Sequence, residues 1–108
     1  MLTQPQVLAT AHWMQRHRLS LPQMVVLLCL DRDKSCTMGE LAGECAVSTA
    51  AVTGIIDSMT AKKLVQRISD HDDRRKVIVV LSEDGEKFLR ELFAETVEVE
   101  SLHESFSV

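Results

Sequence analysis

The sequence predicts a mostly α-helical fold with a two-stranded β wing: a winged helix-turn-helix with a short N-terminal helix and a long C-terminal helix. Three observations lead there. Residues Thr37 to Lys63 spell two short helices joined by a tight turn. Two apolar stretches, Val65 to Ser69 and Val77 to Leu81, flank a charged turn and read as a hairpin. After Ser82 the apolar residues recur alternately every four and three positions, which is helix periodicity.

Within residues 3–17, Val7, Leu8, Ala11 and Met14 fall at helix spacing with Trp13 beside the stripe. Ser20 and Gln23 form a capping box, with Pro22 tolerated in the first turn, and open a helix from Leu21 to about Leu30. That helix is apolar nearly all round, so it should be central. Asp31 to Ser35 reads as a charged loop. Thr37 to Glu40 is a second capping box, Ala42, Ala46 and Val52 sit at helix-turn-helix spacing, and Ser48 caps the second helix. In that helix Val52, Ile55, Ile56 and Met59 should face inward, leaving Thr49, Ala50, Thr53, Gly54 and Asp57 on the outer side. In the last helix Phe88, Leu92, Val99, Leu102 and Phe106 form a heptad seam with Glu95 as an acidic interruption. Such a seam packs either on the chain's own first helix or on a partner.

At 108 residues the chain fits one domain: an N-terminal helix (1–18), a lobe (19–82) and a last helix (83–108). The longest apolar run, Val25 to Leu30, is far too short to cross a bilayer, and the first residues lack a basic stretch followed by an apolar one. A cytoplasmic protein with reduced thiols is expected, without membrane partners. Three cysteines without a CxxC spacing argue against a disulfide framework and a structural zinc site. Cys29 reads as core; Cys36, two residues after Lys34, is the one placed for redox sensing. No nucleophile–base pair, phosphate loop or carboxylate pair can be assembled, so no enzyme and no cofactor are expected. His71 among Asp70, Asp72 and Asp73 reads as a solvated turn rather than a metal site.

The net charge of −4 conceals a division. Residues 1–82 sum to +2 and residues 83–108 to −6, and Lys62 to Lys76 holds six cations against three acids. The wing is therefore locally positive on an acidic protein. A helix-turn-helix followed by such a wing is a DNA-reading unit. Arg67, Arg74, Arg75 and Lys76 can meet phosphates or a minor groove, while Ser48, Thr49, Ala50 and Thr53 sit where a recognition helix meets base edges, the last two suited to a thymine methyl. Ser48 can equally serve only as a cap. Ser48 to Ala61 contains no Lys or Arg, so bidentate arginine readout is not available to this helix.

Three motifs in order, Leu19 to Gln23, Val47-Ser48 through Thr53, Ile56, Asp57 and Met59 to Leu64-Val65, and Asp73-Arg74-Arg75 through Leu81-Ser82 to Gly85, resemble the MarR family of winged-helix regulators over about residues 19–90. The resemblance implies a sequence-specific DNA-binding transcriptional regulator, a repressor that acts as a homodimer through its terminal helices, in a short version of the fold. It implies double-stranded DNA as partner and a small-molecule effector in a crevice between terminal helices and lobe. It also implies that Asp57 and Arg75 brace the wing against the recognition helix, and that Ala46 and Lys63 occupy turn positions where relatives carry glycine. A different use remains open on the residues alone: a winged-helix protein-interaction module that modulates another regulator.

Overall fold

The computed structural model describes residues 3–106, with side chains from residue 3 to residue 96. The order is α1 (Gln4–Arg16), α2 (Leu21–Asp33), β1 (Ser35–Thr37), α3 (Met38–Cys45), α4 (Thr49–Ala61), β2 (Val65–Ser69), β3 (Val77–Leu81) and α5 (Glu83–Phe106). Every helix start is set by a hydroxyl. Ser20 and Thr37 make the expected reciprocal boxes with Gln23 and Glu40, and Thr3 makes an unforeseen one with Gln6. Ser48 accepts from the Ala51 N–H at 3.1 Å, and Ser82 accepts from the Gly85 N–H at 2.9 Å. These side chains satisfy amide donors that a helix start leaves orphaned.

The central helix is α2, whose Met24, Val26, Leu27, Cys29 and Leu30 are buried among Leu41, Val52, Ile56, Met59, Val65 and Val79. Burial on several faces accounts for most of its apolar sequence, while Leu21 and Leu28, seven residues apart on one face, remain 68% and 42% exposed. It runs three residues past Leu30, so the charged segment expected as a loop is its last turn, closed by Lys34 at a φ of 69°. There Arg32 pairs with Asp33 at 2.8 Å and with Glu44 of α3 at 3.0 Å.

The wing hairpin has the expected ends, with Val65 opposite Leu81 and Ser69 opposite Val77. A short third strand, β1, joins its other edge in the order β1-β3-β2. Three residues are too few to show alternation, and pairing with β3 is what holds them extended. This places Cys36 opposite Val79 and buries it. Burial, with Asp33 and Glu40 nearby, pushes its thiol up to about 11. Cys36 is therefore no sensor of the kind its neighbour Lys34 suggested, because a reactive cysteine needs access and a stabilised thiolate.

Two more expectations change. The buried side of α1 is Gln6 and Trp13, while Val7 and Leu8 are 53% and 50% exposed. Trp13 instead stacks on Phe88 at 4.3 Å and on His17 at 4.6 Å. On α5, Leu92 is only 4% exposed and belongs to the chain's own core, with Phe88 packed against it. The first part of the seam is thus largely covered from within: Leu92 belongs to the core and Phe88 is half-buried against it. Arg16 secures the same contact with a two-pronged ion pair to Glu95, 2.9 and 2.7 Å. Val99, Leu102 and Phe106 lie outside the described side chains.

Candidate nucleic-acid interface

The second helix of the helix-turn-helix, α4, turns Val52, Ile56 and Met59 inward, with Ile55 half-buried. Ser48, Thr49, Ala50, Thr53, Gly54 and Asp57 are exposed on the other side. Two hydrogen bonds tie the C-terminal end of α4 to α2 and the turn before it. Lys62 Nζ donates to the Arg18 carbonyl at 3.0 Å, and the Gln23 amide reaches Ser58 Oγ at 3.2 Å. Ala46 (φ 55°) and Lys63 (φ 63°) both adopt the left-handed turn that glycine would supply, at a strain of about 1 kcal/mol for a side-chain-bearing residue.

Asp57 does pair with an arginine of the wing, but the arginine is Arg67. Its Nη2 lies 2.5 Å from Asp57 Oδ1 and 3.5 Å from the Thr53 carbonyl. Arg75, the expected partner, stands at the tip with its side chain 94% exposed, and its Nε is 3.6 Å from Asp73. Strand parity gives the reason. Val65 and Arg67 lie on the same face of β2, and that face carries buried Val79 and looks towards α4. Arg75 belongs to the connecting turn and has no strand to aim it. Parity relative to Val65 was the available sequence signal for Arg67.

The acids of the tip have a structural task. Asp70 accepts from the Asp72 N–H at 3.1 Å and Asp73 from the Arg75 N–H at 3.0 Å, so each fastens a turn through its carboxylate. Lys76 Nζ lies 3.8 Å from Asp70, and Arg74, Arg75 and Lys76 are all exposed. The hairpin thus carries three cations at its outer end, and Arg67 is withdrawn to its base. On α3 both acids are engaged: Glu44 by Arg32, and Glu40 by the backbone and hydroxyl of Thr37, which hold its carboxyl below the usual range.

A groove of about 370 Å³ opens between the end of α2, β3 and α5. Leu30, Val80, Leu89 and Phe93 make its apolar lining, and two cations, Lys34 and Arg90, stand at it with two acids, Asp31 and Glu86. Among the described residues no group of three His, Cys, Asp or Glu side chains is arranged to hold a metal. No helix there is long and apolar enough to cross a membrane.

Comparison with known proteins identifies the family of the fold. The model of the MarR family matches residues 19–77. The uncharacterized HTH-type transcriptional regulator YsmB of Bacillus subtilis is 32% identical over 95 residues, 87% of this chain and 65% of YsmB. The HTH-type transcriptional repressor NicR of Pseudomonas putida is 43% identical over 65 residues, 59% of this chain and 41% of NicR. Bordetella bronchiseptica BpsR, whose DNA binding is regulated by 6-hydroxynicotinic acid, superposes with a TM-score of 0.68 at 28% identity, covering 91% of this chain and 70% of BpsR. The chain spans about 51% to 65% of the length of the first curated relatives it matches.

Proposed function

The chain belongs to the MarR family, and from that premise we propose that it represses transcription as a homodimer, each protomer laying α4 into a major groove and its wing along the flanking backbone. The observation that carries the reading is the Arg67–Asp57 link, which fixes a wing with three exposed cations against an exposed, uncharged stretch of α4. Phosphate contacts then come from Arg74, Arg75 and Lys76, assisted by Ser48 and Thr49 at the start of α4, and Arg67 acts by positioning. This division of labour separates affinity from sequence choice.

Dimerisation is assigned to Val7 and Leu8 of α1, exposed in the protomer, together with the later part of the heptad seam, Val99, Leu102 and Phe106. Two protomers related by a two-fold axis would present two recognition helices to a palindrome. The groove lined by Leu30, Val80, Leu89 and Phe93 suits a small aromatic ligand, and its balanced charges, Lys34 and Arg90 with Asp31 and Glu86, can pair with polar groups of either sign on it, a class that includes the 6-hydroxynicotinic acid that regulates BpsR. A ligand there would touch both α5 and the sheet, the two parts whose relative pose sets the spacing of the wings.

A salt titration tests the function. With three phosphate contacts per protomer, the logarithm of affinity for duplex DNA should fall with log salt at a slope of about −5. Absence of duplex binding even at low salt would refute the reading and favour a protein-interaction module, for which a helix-turn-helix without Lys or Arg is the supporting observation. The dimer is tested by sedimentation of Val7→Asp/Leu8→Asp, which places charges on exposed positions and should yield a folded monomer. A dimer that persisted would place the interface elsewhere.

A further inference from the structure

We propose that α4 selects its DNA by the C5-methyl groups of thymine, contacted by the methyls of Ala50 and Thr53, and not by hydrogen bonds to base edges. The proposal rests on the DNA-binding reading above and specifies its sequence chemistry. Bidentate hydrogen bonds to a base edge come from Arg, Lys, Asn or Gln. The whole helix-turn-helix, Met38 to Ala61, contains none of these, and no His.

The polar groups in the middle of the outer face are already committed. The Thr53 hydroxyl donates to the Thr49 carbonyl at 2.9 Å, and a hydroxyl has one hydrogen to give. Thr53 therefore has no hydrogen left to donate to a base edge, and what it presents outward is its methyl and the acceptor side of its oxygen. Asp57 is held by Arg67 at 2.5 Å. Ala50, Thr53 and Asp57 share one side of the helix, and Gly54 beside them has open space where a Cβ would stand, so the backbone itself can come close to the bases. Ser48 and Thr49 lie at the helix start, where hydroxyls and amides meet phosphate. The group in the major groove that matches a methyl-bearing surface is the thymine methyl.

The test begins with duplexes enriched on the full chain from a random pool. The affinity of the best duplex is compared with that of copies in which each thymine in turn is replaced by deoxyuridine. Deoxyuridine keeps every hydrogen-bonding group and loses only the methyl. Loss of one buried methyl should weaken binding about four-fold at one or more positions per half-site. At those positions 5-methylcytosine should bind better than cytosine by the same factor. Thr53→Val keeps a methyl and should preserve the preference for thymine. Thr53→Ser keeps the hydroxyl alone and should bind thymine and deoxyuridine equally at its contact. Deoxyuridine duplexes bound as tightly as thymine ones would overturn the inference while leaving DNA binding intact, as would loss of the preference in Thr53→Val together with its retention in Thr53→Ser. Failure to enrich any duplex would remove the DNA-binding reading itself, and this inference with it.

Discussion

Substituting Gly85 by alanine separates local propensity from tertiary fit, because the two predict opposite signs. Gly85 is in the first turn of α5, where helix propensity alone would make alanine better by about 1 kcal/mol. A Cβ there would stand 2.1 Å from the Leu64 carbonyl oxygen and 3.1 Å from its carbon. Backbone on both sides cannot yield as a side chain can, so the start of α5 must move away from the β2 entry. Three hydrogen bonds hold that junction: Ser82 N–H to the Leu64 carbonyl at 3.0 Å, Ser82 Oγ to the Lys63 carbonyl at 2.5 Å, and Gly85 N–H to Ser82 Oγ at 2.9 Å. At about 1 kcal/mol net for each, their loss costs about 3 kcal/mol, and the propensity gain leaves a net destabilisation of about 2 kcal/mol. For a domain of this size the thermal midpoint should fall by about 10 °C. Thermal and urea unfolding followed by circular dichroism read it directly. Gly43→Ala is the control, since a Cβ meets nothing within 4 Å there, and it should be stabilising by about 1 kcal/mol. A Gly85→Ala protein as stable as the parent, or more so, would refute the contact argument.

Three further expectations concern the brace, the turns and acid. In a double-mutant cycle Asp57→Ala and Arg67→Ala should couple by about 0.5–1 kcal/mol in stability, discounted because Asp57 is well exposed, whereas Asp57→Ala and Arg75→Ala should add; coupling of Asp57 to Arg75 instead would restore the tip arginine as the brace. Ala46→Gly and Lys63→Gly should each be stabilising by up to about 0.5 kcal/mol, the left-handed strain relieved less the flexibility glycine adds to the unfolded chain, as measured by urea midpoints. Asp33, beside the Arg32 guanidinium, and Glu40, bonded to Thr37, are both more acidic folded than unfolded. Their contribution is complete above the ordinary values of 3.8 and 4.5 and is lost as pH falls through the folded ones, so the thermal midpoint should drop there, and less so in Glu40→Gln.

The sequence by itself determined whatever depends on neighbours three or four positions away. The Ser20–Gln23 and Thr37–Glu40 boxes, the Ser48 cap and the hairpin from Val65 to Leu81 stand where their residues place them, because a cap or a tight connection is closed by atoms a turn apart. The outer side of α4, free of cations, was equally legible, since a helix with Val52, Ile56 and Met59 inward has only one place for Ala50 and Thr53. Tertiary structure decided what those faces meet. Periodicity says that α1 and α5 each have an apolar side and leaves open what covers it: Trp13 took Phe88 and the Leu92 cluster, leaving Val7 and Leu8 outside. β1 exists because β3 offers it an edge, and that pairing alone turned Cys36 from a loop thiol into a buried one. The wing brace followed the same logic. Asp57 had several arginines within reach along the chain, and the pleat of β2 aimed Arg67 at it while the turn carried Arg75 into solvent, a choice made by side-chain direction in three dimensions, to which sequence separation is blind.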